Sequence, residues 1–362
     1  EVQPAWGRVD GSMRTGRARS CRRGAPFVPT ASWWASRRGR SGWEGPAVPN
    51  DVKIFTGNGN PVLAREICDY RGLPLGEIEV GRFGKDEISV KINENVRGTD
   101  VFLIQSTCPP ANDHWMELLI MIDAMRRASA RRITAVIPYY AYARQDRKDQ
   151  PRVPITAKLV ANLLEAAGAD RILAMDLHAD QIQGFFDIPL DHLMALPVFV
   201  DYIKRKRMKD VVVASAAVGG SKDAGQFAAK LGVPLAIVDK RRKGPTDTEV
   251  MNVIGDVEGK TVVIPDDILA AGSTLAEAAR ALKDRGAAAI YACVTHPIFS
   301  GPAPERLKDS GIKEVIVTNT IPLNENARAM KEPAVTVLSV AQLFGEAIRR
   351  IHEEASISAL FR

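Results

Sequence analysis

Between residues 139 and 152 the chain reads Tyr-Tyr-Ala-Tyr-Ala-Arg-Gln-Asp-Arg-Lys-Asp-Gln-Pro-Arg, which sets the cations Arg144, Arg147, Lys148 and Arg152 beside the carboxylates Asp146 and Asp149. A guanidinium is a planar fork that grips two oxygens at once, so arginines gathered in one loop suit a polyphosphate. A charged run is also what a solvated turn looks like. Position favours the first reading. The loop follows the apolar run Ile133–Tyr139, which reads as a buried strand, and open α/β sheets bind ligands beyond the carboxyl ends of their strands.

Three further turns carry candidate chemistry. Thr261 to Thr274 reads as a strand that ends in Asp266-Asp267, then a small-residue loop (Ala270, Ala271, Gly272, Ser273, Thr274) that opens a helix. Amides at a helix start can hold a phosphate, and acids there can bind ribose hydroxyls or water around Mg²⁺. The same residues would also make an ordinary strand-to-helix turn with a Ser or Thr cap. Val213 to Gly220 ends in paired glycines, which either let a backbone approach a ligand or form a plain tight turn. Asp176 and His178 end another apolar run, two residues apart and so on one side of a strand. That suits a place beside a metal, although a single histidine is more often a satisfied structural group. Lys240, Arg241, Arg242 and Lys243 precede Gly244-Pro245. They read either as a solvated face or as a lid that brings cations onto a transferring phosphoryl group.

These turns need strands to place them. Apolar runs at Val52–Phe55, Val101–Gln105, Ile133–Tyr139, Ile172–Leu177, Val211–Ala214, Leu235–Val238, Thr261–Ile264, Ile290–Thr295 and Val315–Thr318 alternate with helical patterns. The helices fall near Asn60–Tyr70, Asn112–Ala128 (capped by Asn112 or Asp113), from Pro154 onward, and near 221–231, 274–285 and 303–310. Continuous apolar strands alternating with helices predict an α/β fold with mostly parallel sheets covered by helices on both faces. The length suits two such sheets, with a break near residue 195: residues 52–195 in one domain, 196–344 in the other, and about 345–362 returning to the first. Pro265, lacking an amide donor, is expected only at a strand terminus.

Charge narrows the class. Residues 1–50 hold nine arginines, no lysine and three acids, so the chain's net charge of +6 lies there and the remainder is balanced. No basic surface argues for nucleic acid, and no apolar run reaches the length of a membrane span. Residues 1–50 also carry four of the five tryptophans without any period, and are expected to be a disordered or non-native leader outside the fold. Cys21, Cys68, Cys108 and Cys293 are widely spaced, which points away from metal or disulfide pairing and toward a reducing cytoplasm.

Over residues 52–362 the chain resembles the ribose-phosphate pyrophosphokinases. The likeness is carried by Asn93-Glu94-Asn95-Val96-Arg97-Gly98, Met116–Asp123, the Tyr-Ala-Arg-Gln-Asp-Arg-Lys-Asp loop, Met175–Ala179, Gln181–Pro189, Phe299–Ala303 and Thr318–Pro322. The resemblance implies two domains of the type I phosphoribosyltransferase kind. It implies transfer of the pyrophosphoryl group of ATP to the 1-hydroxyl of ribose 5-phosphate, with Mg²⁺ required and phosphoribosyl pyrophosphate and AMP as products. It places Phe83 and Glu87 at adenine, Arg144, Gln145 and Asp149 at ATP, and His178 at the metal. It assigns Lys240 and Arg242 to catalysis. Arg242, Asp266, Asp267, Gly272 and Thr274 fall to ribose 5-phosphate. It further implies a homo-oligomer, a hexamer, in the cytoplasm.

The match is incomplete at the chemistry. Ala270-Ala271 stand where the family has Asp-Thr, Ser273 where it has glycine, Ser215-Ala216-Ala217 where it has Ser-Pro-Asp, and Lys85 where an acid or amide faces the nucleotide. Each missing group of this kind costs on the order of 3–4 kcal/mol of transition-state stabilisation. These departures define a second reading, a catalytically impaired or regulatory subunit of the same fold. A phosphoribosyltransferase that consumes the product is a third, opposed by the ATP-type arginine loop.

Overall fold

The computed structural model describes residues 51–84, 86–242 and 249–361, with 240–242, 249–251, 359 and 361 by backbone alone. The leader, Lys85 and the Lys243–Pro245 turn lie outside the described residues.

In the first half the order is β1 (Val52–Thr56), α1 (Pro61–Arg71), β2 (Ile78–Phe83), β3 (Glu87–Ile92), β4 (Asp100–Ile104), α2 (Ala111–Arg127), β5 (Arg132–Ile137), α3 (Thr156–Ala167), β6 (Arg171–Met175), β7 (Leu190–Leu193) and α4 (Leu196–Arg205). The second half continues with β8 (Val211–Ser215), α5 (Ser221–Leu231), β9 (Leu235–Arg242), β10 (Glu249–Ile254), β11 (Thr261–Leu269), α6 (Ser273–Asp284), β12 (Ala289–Pro297), α7 (Ala303–Lys308), β13 (Glu314–Thr318), α8 (Glu325–Ala329), β14 (Ala334–Leu338) and α9 (Ala341–His352). Strands β1-β4-β5-β6-β7 form an all-parallel sheet. A seven-stranded sheet runs β10-β9-β8-β11-β12-β13-β14, in which only β10 is antiparallel. The expected α/β class and mostly parallel sheets are what the chain forms.

Alternation along each strand explains the layering. On β4, Val101 and Leu103 pack with Trp115, Leu118 and Leu164 of α2 and α3, whereas Phe102 and Ile104 face the opposite cluster. On β11, Val262 and Ile264 meet Leu275 and Leu282 of α6, and Val263 faces the other way. The two inward faces share one continuous core. It joins Ile54 and Phe102 of the first sheet to Val213 and Ile316 of the second through side chains of α1, α4, α5 and α9.

Several local readings need correction. Helix α2 is not capped by Asn112 or Asp113 but starts after Pro110, with no side-chain cap. Both polar groups are used elsewhere: Asn112 accepts from the Tyr142 hydroxyl, and Asp113 pairs with Arg82 at 2.7 Å. Helix α3 begins at Thr156 rather than Pro154, because Gln145 of the preceding loop takes the first contacts, with its carbonyl 3.2 Å from Ala157 N and its side chain 2.5 Å from the Thr156 hydroxyl. Pro265 lies inside β11, four residues before its end. The β8 ladder stops at Val263 while the β12 ladder continues to Leu269, so the proline sits where β11 has a neighbour on one side only. The β2–β3 hairpin, the short strands β7, β10 and β14, and helices α4, α8 and α9 carried no separate sequence reading.

Helix α9 closes the first sheet from the far end of the chain. The fully buried Asp100 accepts Arg132 Nε at 2.9 Å and Arg132 Nη2, and lies 2.8 Å from His352 Nδ1. Arg132 Nη2 also donates to the Ile351 carbonyl at 3.0 Å. Removing one partner of such a group leaves an uncompensated buried charge. Asp100→Ala should therefore lose about 3–5 kcal/mol in urea unfolding, whereas Arg97→Ala, on the exposed surface, should stay within about 0.5 kcal/mol of the parent.

Candidate functional site

The carboxyl ends of β5, β6, β8 and β11 open onto one cavity of about 1230 Å³. That exceeds the roughly 300–1,000 Å³ of a site for one small molecule, so two substrates have room. Arg144, Gln145, Asp149, His178, Asp266 and Asp267 all line it, together with Asp176, Asp180, Lys222 and Asp223.

Arg144 and His178 are delivered by turns, whereas Asp266 and Asp267 lie inside β11, which runs on to Leu269 instead of ending at the acids. The arginine loop leaves β5 through Tyr139 and Tyr140, both buried; the Tyr140 hydroxyl donates to Ala157 O at 3.0 Å. Tyr142, at φ 69°, reverses the chain, and Gln145 N returns to Tyr142 O at 2.8 Å. Arg144, next in line, is exposed. His178 follows β6 and meets Asp267 of β11, Nδ1 to Oδ2, at 2.6 Å. The expected strand geometry for Asp176 and His178 does not hold, since β6 ends at Met175 and Asp176 has φ 38°. Even so, both side chains reach the second sheet, Asp176 through the Thr295 hydroxyl at 2.5 Å.

The acids are unequal. Burial, then the neighbouring charge of Asp267, pushes Asp266 up to about 7. Burial also acts upward on Asp267, but the hydrogen bond and charge of His178 outweigh it and hold that carboxyl below the usual range. The same bond raises His178. Asp176 is pushed up to about 6 by burial and Asp223 is raised by burial, then by Asp180. Carboxylates whose ionised form is disfavoured, across from exposed arginines, make a site that gains from a bound cation and a bound polyanion together.

The remaining expected residues lie elsewhere. Gly272 takes φ 71° at the start of α6, with Thr274 in the first turn; neither borders the cavity. Phe83, 69% exposed, and Glu87 flank the tip of the β2–β3 hairpin, also outside it. Lys240 and Arg242 belong to β9, and their side chains lie outside the described residues. Ala216 is buried, Ala217 exposed, and Ala270 and Ala271 are half-buried. Sequence reasoning passed over Thr295, His296 and the Lys222–Asp180 pair at 2.6 Å. Thr295 and His296 lie in an apolar run whose polar members gave no local signal.

Stability should follow this titration. Asp266, raised, keeps a proton that the unfolded chain releases at ordinary carboxylate pH, so its contribution is complete at low pH and is lost as pH rises through about 7. His178, raised, acts in the same sense around its own higher pKa, and Asp267, lowered, contributes above the carboxylate range and loses that as pH falls. The ligand-free melting temperature should thus fall as pH climbs from the carboxylate range to about 7, with Asp176, pushed up to about 6, acting in the same sense, and Asp266→Asn should make that slope shallower. Thermal melts in a buffer series check this; an unchanged slope would place its source elsewhere.

Comparison with known proteins bears on the same chain. A family model described as the N-terminal domain of ribose phosphate pyrophosphokinase matches residues 52–168, and one described as the phosphoribosyl synthetase-associated domain matches residues 222–362. A ribose-phosphate pyrophosphokinase of Caldanaerobacter subterraneus subsp. tengcongensis is 58% identical over 313 residues, covering 86% of this chain and 98% of that protein. One of Synechococcus elongatus is 55% identical over 321 residues, covering 88% and 96%. The crystal structure of phosphoribosylpyrophosphate synthetase from Mycobacterium smegmatis superposes with a TM-score of 0.79 at 43% identity, covering 84% of this chain and all of that one. With two family models spanning most of residues 52–362 and relatives matched over nearly their full length, the chain belongs to the ribose-phosphate pyrophosphokinase family.

Proposed function

We propose that the protein transfers the pyrophosphoryl group of ATP to the 1-hydroxyl of ribose 5-phosphate. The observation that carries this reading is that Arg144 and His178, from two separate turns, and Asp266, from within β11, line a single cavity. Attack at a phosphorus needs positioning and charge neutralisation more than covalent help. In this reading Arg144 and Gln145 hold the ATP phosphates, with Asp149 beside them. Asp266 and Asp267 receive ribose hydroxyls. Gly272, at φ 71°, and Thr274 turn the amides at the start of α6 toward the sugar phosphate. Lys240 and Arg242 act as lid cations on the transferring group.

Mg²⁺ fits the same place. Among the described residues no three His, Cys, Asp or Glu side chains form a ready cation cage. Mg²⁺ does not require one, because it keeps several waters and is held by one or two protein groups plus substrate phosphates. His178, next to Asp266 and Asp267, would hold it, and it would supply neutralisation of phosphate charge.

Residues 52–195 and 196–344 act as the two domains, with the C-terminal segment returning to the first. No described helix is long and apolar enough to cross a membrane, and a cytoplasmic setting suits buried, unpaired Cys68, Cys108 and Cys293. A homo-oligomer, a hexamer, fits the place of Phe83 and Glu87: an exposed hairpin tip outside its own chain's cavity would bring adenine contacts to a neighbouring copy.

The test is release of AMP from ATP. It should require ribose 5-phosphate and Mg²⁺ together, and absence of AMP under those conditions would overturn the reading. Arg144→Ala and His178→Ala should each lower kcat by about 10²–10³-fold, the scale for one positioned group. Returning the missing polar groups (Ala217→Asp, Ala270→Asp and Ala271→Thr together) should raise kcat; an unchanged rate would show that this chain has replaced their role.

A further inference from the structure

Just past β6 the chain reaches from the first sheet to the second through Asp176 and His178, and two contacts made there are in register. The Thr295 hydroxyl donates to Asp176 Oδ2 at 2.5 Å, and His178 Nδ1 lies 2.6 Å from Asp267 Oδ2. Asp176 and His178 are two residues apart on one segment. Thr295 and Asp267 are lateral neighbours on β12 and β11, bracketed by the paired residues Asp266–Val294 and Ile268–His296. A third contact runs from His296 Nε2 to the Asp176 carbonyl oxygen at 3.1 Å. A carbonyl only accepts, so Nε2 is the donor. His296 is buried, and burial lowers its pKa to about 4, consistent with a neutral ring that carries this one proton.

Asp176 is also the strained point of the turn. Its φ of 38° is unusual for a residue with a side chain, and such conformations persist only where the surroundings over-determine them. Here they do: the carboxylate accepts Ala195 N at 3.2 Å as well as Thr295, and the carbonyl accepts His296. One bridge between two sheets leaves rotation about that contact. Two bridges, side by side on one strand pair, remove it.

We propose that Asp176 is a positioning residue, pinned by Thr295 and His296 so that the turn after β6 delivers His178 to Asp267. The kinetic part of its test rests on the reading of the cavity as the site for ATP and ribose 5-phosphate; the spectroscopic part does not. Asp176→Ala is a poor probe because it could unfold the turn outright. Thr295→Val keeps side-chain shape and deletes the donor, and Thr295→Ser keeps the donor.

In the full-length, ligand-free protein, the imidazole ¹⁵N resonances of His178 report its bond to Asp267. In Thr295→Val they should move toward those of an exposed imidazole, and in Thr295→Ser they should return. In turnover, Thr295→Val should lower kcat by about tenfold to a hundredfold, the scale of a small misplacement. KM for both substrates should stay within about threefold, and Thr295→Ser should recover most of kcat. Wild-type His178 resonances in Thr295→Val overturn the proposal, as does a loss of kcat that Thr295→Ser leaves in place. If the resonances move and return as described while no version, the parent included, releases AMP, the positioning role stands and the reading of the reaction falls.

Discussion

A parallel sheet has two faces to bury, and this chain carries two such sheets. It resolves the demand by making the inner faces share one layer of helices. The cluster that runs from Ile54 and Phe102 to Val213 and Ile316 includes Leu63 and Ile67 of α1, Phe199 and Ile203 of α4, Phe227 of α5, and Phe344 and Ile348 of α9. Because that layer belongs to both sheets, neither can move far without breaking a core packed at crystal-like density. The strand ends that hold the chemistry inherit this rigidity.

Polar contacts then refine the joint. Asn60 donates to Asn319 O at 2.7 Å, the Ser106 hydroxyl to Thr320 O at 2.6 Å, and Asn319 Nδ2 to Glu66 at 2.8 Å. These groups are buried or partly buried, where an unmade hydrogen bond is costly, so they specify one arrangement rather than merely favouring contact. Asp176–Thr295 and His178–Asp267 belong to the same set. They differ in lying at the cavity, where the join becomes part of the site.

Inside the cavity, fold and function pull in opposite directions. Asp266 is pushed toward its neutral form by burial and by Asp267, a cost that the fold carries. A bound cation or a sugar hydroxyl reverses that cost. At Ala217, Ala270 and Ala271, where the resemblance implies polar groups, the backbone of each turn is still tied down. Ala270 O still accepts Ser300 N at 3.1 Å, and Ala271 O accepts Arg306 at 3.0 Å. The loop is therefore held through its own carbonyls, by Ser300 and Arg306.

Periodicity in the chain was enough to name the class, most strands and the turns that matter. An apolar run buried on both faces looks the same whatever its neighbours, and Asp266-Asp267, His178 and the arginine loop stand at ends of such runs. Short edge strands such as β7 and β14, and a hairpin with one wet face, lack that signature and stayed silent. So did Thr295 and His296, because a polar residue in a buried strand acquires its meaning from whatever packs against it, here a turn 119 residues away in sequence. Strand order, the shared helical layer, the return of α9 to the first sheet and the meeting of Asp176 with Thr295 are long-range contacts. No local pattern encodes them; they are settled only when both sheets compete for the same core.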